Sequence, residues 1–159
     1  MSRSTAPALL TRLRWWHLGE VISIERLVFE QQPWTAEAFF SELAGVPDSR
    51  HYVAATSPDG VVLGYAGLAL ADDTADVMTV AVAPARQGRG VGRALLVELL
   101  GQAARRGVHE VFLEARSDNE PALGLYESLV FEPISRRRDY YAPDVDGLVM
   151  RRRGQWEAS

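Results

Sequence analysis

The sequence contains neither cysteine nor lysine. Without cysteine, the chain can build no disulfide framework, no thiolate nucleophile and no thiolate metal site. Without lysine, it can form neither a Schiff base with a substrate nor the phosphate contact of a P-loop. All 17 basic residues are arginines, a bias that we attribute to a GC-rich genome rather than to the chemistry of a site. The two absences therefore remove several enzyme mechanisms from consideration.

Histidines and long apolar runs are scarce as well. The three histidines, His17, His51 and His109, are scattered and show no zinc-binding spacing, so we expect no metal site. No stretch approaches the roughly 18 consecutive apolar residues of a membrane-spanning helix, and the first residues make a poor signal peptide. The net charge of -4 argues against a general nucleic-acid-binding protein. We therefore expect a cytoplasmic protein without membrane or nucleic-acid partners.

The length and the apolar pattern predict one mixed domain. A chain of 159 residues, 47% of them hydrophobic, suits a single domain over 1–159 with its core at about 9–153. The order of strands and helices predicts an α/β (α+β) protein with a mixed sheet of six to seven strands and helices on both faces. The predicted strands are 9–16, 51–56, 61–70, 76–83, 108–116, 131–141 and 147–153. The predicted helices are 17–30, a segment capped by Thr35, a segment that ends before Gly107, and a segment capped near Asn119 that ends near Leu129.

The stretch 78–100, MTVAVAPARQGRGVGRALLVELL, combines a strand, a glycine-rich loop and a helix. Glycines in the loop let the backbone come close to a ligand, and the first N–H groups of a helix lack partners at the positive end of its dipole. The loop has no P-loop lysine, and Arg93 stands where the Rossmann spacing needs a third glycine. The pattern therefore predicts a phosphate-binding loop of another kind, and an ordinary flexible loop is the alternative.

Within this stretch, residues 87–92 (QGRGVG) have the form Q-x-x-G-x-G. This resembles the acetyl-CoA signature R/Q-x-x-G-x-G/A of the GCN5-related N-acetyltransferase (GNAT) superfamily. The resemblance implies the GNAT fold, whose mixed sheet is splayed in the middle, and acetyl-CoA as co-substrate. It also implies that the loop amides hold the CoA pyrophosphate and that the preceding strand pairs with the pantetheine arm. The cofactor-binding residues implied in this way are Val80, Ala81, Val82, Gln87, Gly88, Arg89, Gly90, Val91, Gly92 and Arg93.

An acid and a base for acetyl transfer follow in the chain. Glu114 lies near the carboxyl end of an apolar strand, and Tyr126 lies at helical spacing with apolar neighbours. A carboxylate could accept a proton from an amine, and a phenol could donate one to the departing thiolate, without a covalent enzyme intermediate. The simpler alternatives are a solvent-facing glutamate and a core tyrosine.

Residues 113–131, LEARSDNEPALGLYESLVF, closely resemble one branch of the superfamily, the ribosomal-protein-alanine N-acetyltransferases of the RimI type. That branch carries L-E-V-R-x-x-N followed by A-x-x-L-Y-x-x-x-G-F. By this resemblance Glu114 is the general base, Tyr126 is the general acid and Asn119 contacts the CoA arm. Val130 departs from the pattern, since it replaces the usual glycine at a helix end where a left-handed conformation is costly for valine.

Two further stretches resemble elements of the same branch that flank the acceptor groove. They are residues 33–35 (PWT) and 136–141 (RRRDYY), and the substrate-binding candidates are Pro33, Trp34, Tyr140 and Tyr141. The alternatives are a core anchor at Trp34 and a half-buried tyrosine pair. The resemblance implies that the acceptor is a protein N-terminal amine, the N-terminal alanine of small-subunit ribosomal protein eighteen. A lysine side chain or small amine as acceptor, and a non-catalytic acyl-CoA-binding module, stay open as alternatives.

Overall fold

The computed structural model of the protein describes residues 8–154. In this part of the chain, no helix is long and apolar enough to cross a membrane. The elements in chain order are β1 (Leu9–Arg12), a 3₁₀ turn (Trp15–His17), α1 (Leu18–Val28), α2 (Ala36–Leu43), β2 (Arg50–Thr56), β3 (Val62–Ala71), β4 (Thr74–Val82), a 3₁₀ turn (Pro84–Arg86), α3 (Val91–Arg105), β5 (Glu110–Arg116), α4 (Glu120–Ser128), β6 (Glu132–Ala142) and β7 (Val145–Arg153).

The seven strands form one sheet in the order β1-β2-β3-β4-β5-β7-β6. β1 and β2 are antiparallel, as are β5 with β7 and β6 with β7. β4 and β5 are parallel and register over three residue pairs, from Thr74 with Glu110 to Asp76 with Phe112. This mixture of parallel and antiparallel pairs, together with four α-helices, confirms the predicted fold class.

The chain divides into two compact units. The described part of the first unit comprises residues 8–68 and 78–99, and that of the second comprises residues 69–77 and 100–154. Each unit draws on residues distant in sequence, so neither corresponds to one uninterrupted segment. The expectation of a single domain over 1–159 stays a prediction.

The core of the first unit is built around buried aromatic side chains. Phe39, Tyr52 and Tyr65 are fully buried among aliphatic residues of α1 and β2. The Tyr52 ring occupies the space that a side chain at position 67 would need, since a Cβ on Gly67 would lie 2.0 Å from it. Gly67 is therefore required by packing.

A buried carboxylate also belongs to this core. Glu25 is 2% exposed and lies on the apolar face of α1 with Val21 and Ile24. Its Oε1 accepts a hydrogen bond from the Tyr65 hydroxyl, and its Oε2 accepts one of 2.8 Å from the Trp34 backbone N–H. Both carboxylate oxygens are thus paired, which offsets part of the cost of removing a charge from water.

In the second unit, α4 ends in a Schellman motif centred on Val130. The Phe131 N–H donates to the Tyr126 carbonyl at 3.0 Å, and the Val130 N–H donates to the Glu127 carbonyl at 3.0 Å. Val130 adopts a φ of 69°, in the left-handed region. The Phe131 and Tyr126 rings, whose centroids are 6.2 Å apart, provide the apolar contact that usually accompanies this motif. The left-handed position that ends this helix, which is usually a glycine, is therefore occupied by a valine.

The start of the chain differs from the prediction. The strand expected over 9–16 ends at Arg12, and Trp15–His17 form a 3₁₀ turn ahead of α1. In that turn the Arg14 N–H donates to His17 Nδ1 at 2.8 Å. Trp15 and Trp16 are 67% and 60% exposed, so the aromatic pair lies outside the strand and largely in solvent. The expectation of a strand through Trp16 was wrong.

Replacing Val130 with glycine should stabilise the protein. A β-branched residue in the left-handed region costs roughly 1–2 kcal/mol, and the Val130 side chain is 54% exposed, so little burial is lost. Glycine relieves this strain, but it also has more conformational entropy to lose on folding. With both effects counted, we expect Val130→Gly to raise the free energy of unfolding by about 1 kcal/mol. Denaturant unfolding measures this. Val130→Ala is the control, since it keeps Cβ and should recover little; a less stable glycine variant would contradict the prediction.

The Glu25 carboxyl should make stability depend on pH. Burial raises its pKa, against the opposing effect of the Trp34 and Tyr65 hydrogen bonds. A raised folded pKa contributes stability that is full below the unfolded pKa and lost as pH rises through the folded pKa. Burial also raises the pKa of Tyr52 and Tyr65 well above the usual range, so neither titrates between pH 4 and 8 in the folded protein.

We therefore expect Glu25→Gln to gain stability relative to wild type as pH rises from about 4 to 8, because glutamine cannot ionise. Chemical denaturation at several pH values measures this difference. Glu37→Gln serves as the control, because the Glu37 side chain is exposed on α2. The same slope for both variants would contradict the prediction.

Candidate active site

The loop between β4 and α3 is held by hydrogen bonds at both of its ends. The Ala83 N–H donates to the Leu63 carbonyl at 2.8 Å, which fixes the point where the chain leaves β4. The Gln87 side chain then donates from Nε2 to the Val82 carbonyl at 3.1 Å. The first helical hydrogen bond of α3 follows, from the Ala94 N–H to the Gly90 carbonyl at 3.0 Å. The loop is therefore held at its strand end and at its helix end.

Glycines give this loop its shape. Gly88 and Gly90 have φ values of 78° and 84°, and a Cβ at either position would meet no atom within 4 Å. Glycine is thus needed for the left-handed backbone rather than for space within the protein. Val91 and Gly92 follow in the first turn of α3, where N–H groups have no acceptor earlier in the same helix. Open space, left-handed turns and a helix start together fit an anionic phosphate group.

The predicted cofactor-binding residues differ in exposure. Arg89 and Arg93 are exposed, as is Arg86, and all three lie in or beside the loop. On β4, Ala81 is buried while Val80 and Val82 are half-buried. A Cβ on Gly64 of β3 would lie 2.7 Å from the Ala81 carbonyl oxygen, so the two strands approach closely here. The predicted loop and strand are thus contiguous in the first unit.

Glu114 is a half-buried carboxylate on β5 with two polar neighbours. Its side chain is 28% exposed, and the Arg137 guanidinium Nε lies 3.6 Å from Oε2. The Tyr141 hydroxyl lies 3.5 Å from Oε1, at the long limit of a hydrogen bond. Glu114 is therefore accessible to solvent and sits beside one of the predicted substrate-binding tyrosines.

The two predicted tyrosines form a cluster with arginines. The Tyr140 and Tyr141 rings pack edge to face with centroids 5.1 Å apart. The Arg116 guanidinium lies 5.3 Å from the Tyr141 ring centroid, and Arg137 lies 5.2 Å from that of Tyr140. Burial, followed by the negative charge of Glu114, raises the pKa of the Tyr141 hydroxyl. Glu114 thus lies in one polar aromatic cluster of the second unit.

Sequence reasoning missed Arg116 and Arg137 as members of this cluster. Arg116 lies two residues after Glu114 on the same strand, and therefore on the same face, which is a signal that period-two alternation could have supplied. Its guanidinium also pairs with both carboxylate oxygens of Asp118, at 3.0 Å each. The position of Arg137 depends on the pairing of β6 with β7 and could not be derived from local sequence.

Tyr126 is buried on α4. It is 8% exposed, and burial, with a smaller contribution from Tyr141, raises its pKa to about 12. The Tyr126 hydroxyl is therefore protonated at neutral pH. Within residues 8–154, Tyr126 and Glu114 share no hydrogen bond. Tyr141 interacts with each of them: its hydroxyl lies 3.5 Å from Glu114 Oε1, and it contributes to the raised pKa of Tyr126.

Asn119 caps α4. Its Oδ1 accepts a hydrogen bond of 3.3 Å from the Ala122 N–H, in agreement with its predicted capping role. The side-chain carbonyl is thus used by the helix, and the amide nitrogen is the group of Asn119 that would serve as donor to another molecule. Its contact with the CoA arm stays a prediction.

The predicted acceptor residues of the first unit lie just before α2. Pro33 is exposed, and the half-buried Trp34 packs its ring on Phe39 with centroids 5.1 Å apart. Thr35 caps α2 as predicted, since its Oγ1 accepts from the Ala38 N–H at 3.2 Å. Sequence reasoning missed Glu25, which holds the Trp34 backbone. A charged residue on the apolar face of α1 was the available signal.

Comparison with known proteins identifies the family. Residues 12–131 match the acetyltransferase (GNAT) family. The N-alpha-acetyltransferase RimI of Mycobacterium tuberculosis is 40% identical over 96% of this chain and 96% of its own length. The ribosomal protein bS18-alanine N-acetyltransferase of Escherichia coli (strain K12) is 36% identical over 72% of this chain and 74% of that relative.

The fold agrees with these similarities. The crystal structure of the ribosomal-protein-S18-alanine N-acetyltransferase from Escherichia coli superposes with a TM-score of 0.81 at 29% identity, over 93% of this chain and 97% of that chain. Because the family match spans most of the chain and the 40% identical relative spans nearly all of it, this chain belongs to the GNAT family of N-acetyltransferases.

Proposed function

We propose that this enzyme transfers the acetyl group of acetyl-CoA to the α-amino group of a protein N-terminus. The acceptor proposed is the N-terminal alanine of the small-subunit ribosomal protein that the Escherichia coli relative is named for. The observation that carries the proposal is the similarity, over nearly the whole chain, to a relative named as an N-alpha-acetyltransferase. The cytoplasmic location expected from the sequence stays a prediction.

The loop before α3 would hold the CoA pyrophosphate. Gly88 and Gly90 turn the backbone just before the helix start, whose first amide groups would bind the anion, and the exposed arginines would add positive charge. Residues 80–82 of β4 would pair with the pantetheine arm through their backbone groups. The loop would thus bind the charged pyrophosphate of CoA, and the strand would bind its uncharged pantetheine arm. Acetyl-CoA supplies the activated acyl group as a thioester.

Glu114 and Tyr126 would move the protons. The amine nitrogen forms a bond to the thioester carbonyl carbon and the carbon–sulfur bond breaks, so one proton must leave the amine and one must reach the sulfur. We assign the first to Glu114, whose partly exposed carboxylate an amine can reach. We assign the second to Tyr126, whose hydroxyl has its pKa raised to about 12 and, like that of any tyrosine, carries its proton at neutral pH. Burial that raises the pKa of the Tyr126 phenol would also raise the pKa of a thiol beside it, because desolvation disfavours both anions.

Removing either proton-transfer group should slow acetylation. We expect Glu114→Gln and Tyr126→Phe each to lower kcat/KM for an N-terminal alanine peptide by about 10²-fold or more, the usual contribution of general acid–base catalysis. Steady-state kinetics with purified variants measure this. Glu127→Gln, an exposed carboxyl that directly follows Tyr126 in the chain, is the matched control and should retain wild-type kinetics. Unchanged transfer by both variants would overturn the assigned mechanism.

A peptide panel tests the acceptor. We expect a peptide that begins with alanine and contains no lysine to be acetylated, because its α-amine has a pKa of about 8 and is more readily deprotonated than a lysine side chain. The comparison peptide has a blocked amino terminus and an internal lysine, and should show little turnover. Equal turnover of the two would favour a side-chain or small-amine acetyltransferase. Absence of turnover on every amine would favour an acyl-CoA-binding module.

A further inference from the structure

We infer that Glu25 is a positioning residue that holds Trp34 in place as one wall of the acceptor site. This inference rests on the proposed function and on the expectation from the sequence that Trp34 contacts the acceptor. Glu25 does not itself face the acceptor, because it is 2% exposed within the core of the first unit. Its effect on the reaction would therefore pass entirely through the Trp34 segment.

The placement of a carboxylate here is costly and specific. Glu25 occupies a helical position between apolar neighbours, where a leucine would serve packing better. Each of its two oxygens has a different donor: the Tyr65 hydroxyl from β3, and the Trp34 backbone N–H from the loop before α2. The second bond, at 2.8 Å, attaches a loop to a helix that precedes it by several residues.

Four residues close this arrangement into a ring of contacts. The Trp34 ring packs on Phe39 at 5.1 Å, and Phe39 meets the Tyr65 ring edge to face at 5.8 Å. The Tyr65 hydroxyl donates to Glu25, and Glu25 accepts from the Trp34 N–H. Backbone and side chain of Trp34 are thus held by different members of the same ring. The next residue, Thr35, caps α2 and fixes the chain on the other side.

A ring of this kind prepares a binding wall before the acceptor arrives. A rigid wall reduces the ordering that binding would otherwise require, and the benefit appears in the affinity for the acceptor. Losing it should therefore raise KM for the peptide while leaving the chemical step largely intact. The loop and strand that would bind CoA are not members of the ring, so KM for acetyl-CoA should not change.

Two substitutions at Glu25 separate hydrogen bonding from charge. Glu25→Asp keeps the charge but is one methylene shorter, so it cannot reach both donors. Glu25→Gln keeps the length, since its carbonyl can accept from the Trp34 N–H while its amide nitrogen donates to the Tyr65 oxygen. We expect Glu25→Asp to raise KM for an N-terminal alanine peptide about tenfold with kcat within about threefold. Glu25→Gln should stay close to wild type, as should the exposed control Glu37→Asp.

A double-mutant cycle tests the route through Trp34. If Glu25 acts by holding this residue, Glu25→Asp should add little to the peptide KM of Trp34→Ala. Amide hydrogen exchange supplies a readout independent of activity, because the Trp34 N–H should exchange faster in Glu25→Asp than in Glu25→Gln. Additive effects in the cycle, an unchanged peptide KM, or equal increases in the KM of both substrates would each overturn the inference.

Failure of the proposed function has a separate signature. Wild-type turnover on the blocked lysine peptide instead of the alanine peptide would overturn the acceptor assignment, and the same KM comparison would then be made with the lysine peptide. Wild-type enzyme that acetylates no amine would overturn the proposed function and this inference together. A KM for the peptide that is raised in Glu25→Asp but close to wild type in Glu25→Gln would support the inference, whether the enzyme acetylates the alanine peptide or the lysine peptide.

Discussion

The first amide groups of an α-helix cannot be satisfied by the helix itself, and the first unit is arranged around that constraint at the start of α3. The chain leaves β4 through the bond of Ala83 to Leu63, and Gln87 returns a side-chain bond to the strand. Two left-handed glycines then turn the backbone into the helix. A conventional capping side chain is replaced by glycine, so that the helix start remains open to an anion. In the proposed function, the CoA pyrophosphate would supply what a cap supplies elsewhere.

The two carboxylates away from this loop, Glu25 and Glu114, differ in burial and in hydrogen bonding. In the first unit, the Glu25 carboxylate is buried, and both of its oxygens accept hydrogen bonds, one of them from the loop before α2. In the second unit, Glu114 keeps solvent access, and its contacts to Arg137 and Tyr141 are long, while Tyr126 is buried and the pKa of its hydroxyl is raised. Tight pairing would compete with proton transfer at Glu114, whereas it favours rigidity at Glu25. The difference in pairing accompanies the difference in proposed roles.

Local chemistry accounts for what the sequence predicted well. The caps at Thr35 and Asn119 and the left-handed stop at Gly107 depend on neighbours within a few residues, and the structure contains all three. Val130 was expected to bear a left-handed strain, and its φ of 69° agrees. The mixed sheet followed from the succession of strands and helices along the chain, and the family followed from short motifs.

Features that depend on tertiary contacts escaped prediction. The early end of β1 at Arg12 follows from a turn that places two tryptophans in solvent, against the usual meaning of an aromatic run. Glu25 acquires its partners from β3 and from a loop, and Arg137 meets Glu114 through strand pairing. The roles of Glu114, Tyr126 and the CoA-binding residues stay predictions.

The exclusive use of arginine has a consequence for an enzyme that modifies amines. A guanidinium keeps its proton at all physiological pH values and is a poor nucleophile, so the cations beside the loop can hold negative charge without competing for the acetyl group. Arg86, Arg89 and Arg93 would each be a potential acceptor if they were lysines. Because the sequence contains no lysine, this acetyltransferase has no side-chain amine of its own to acetylate.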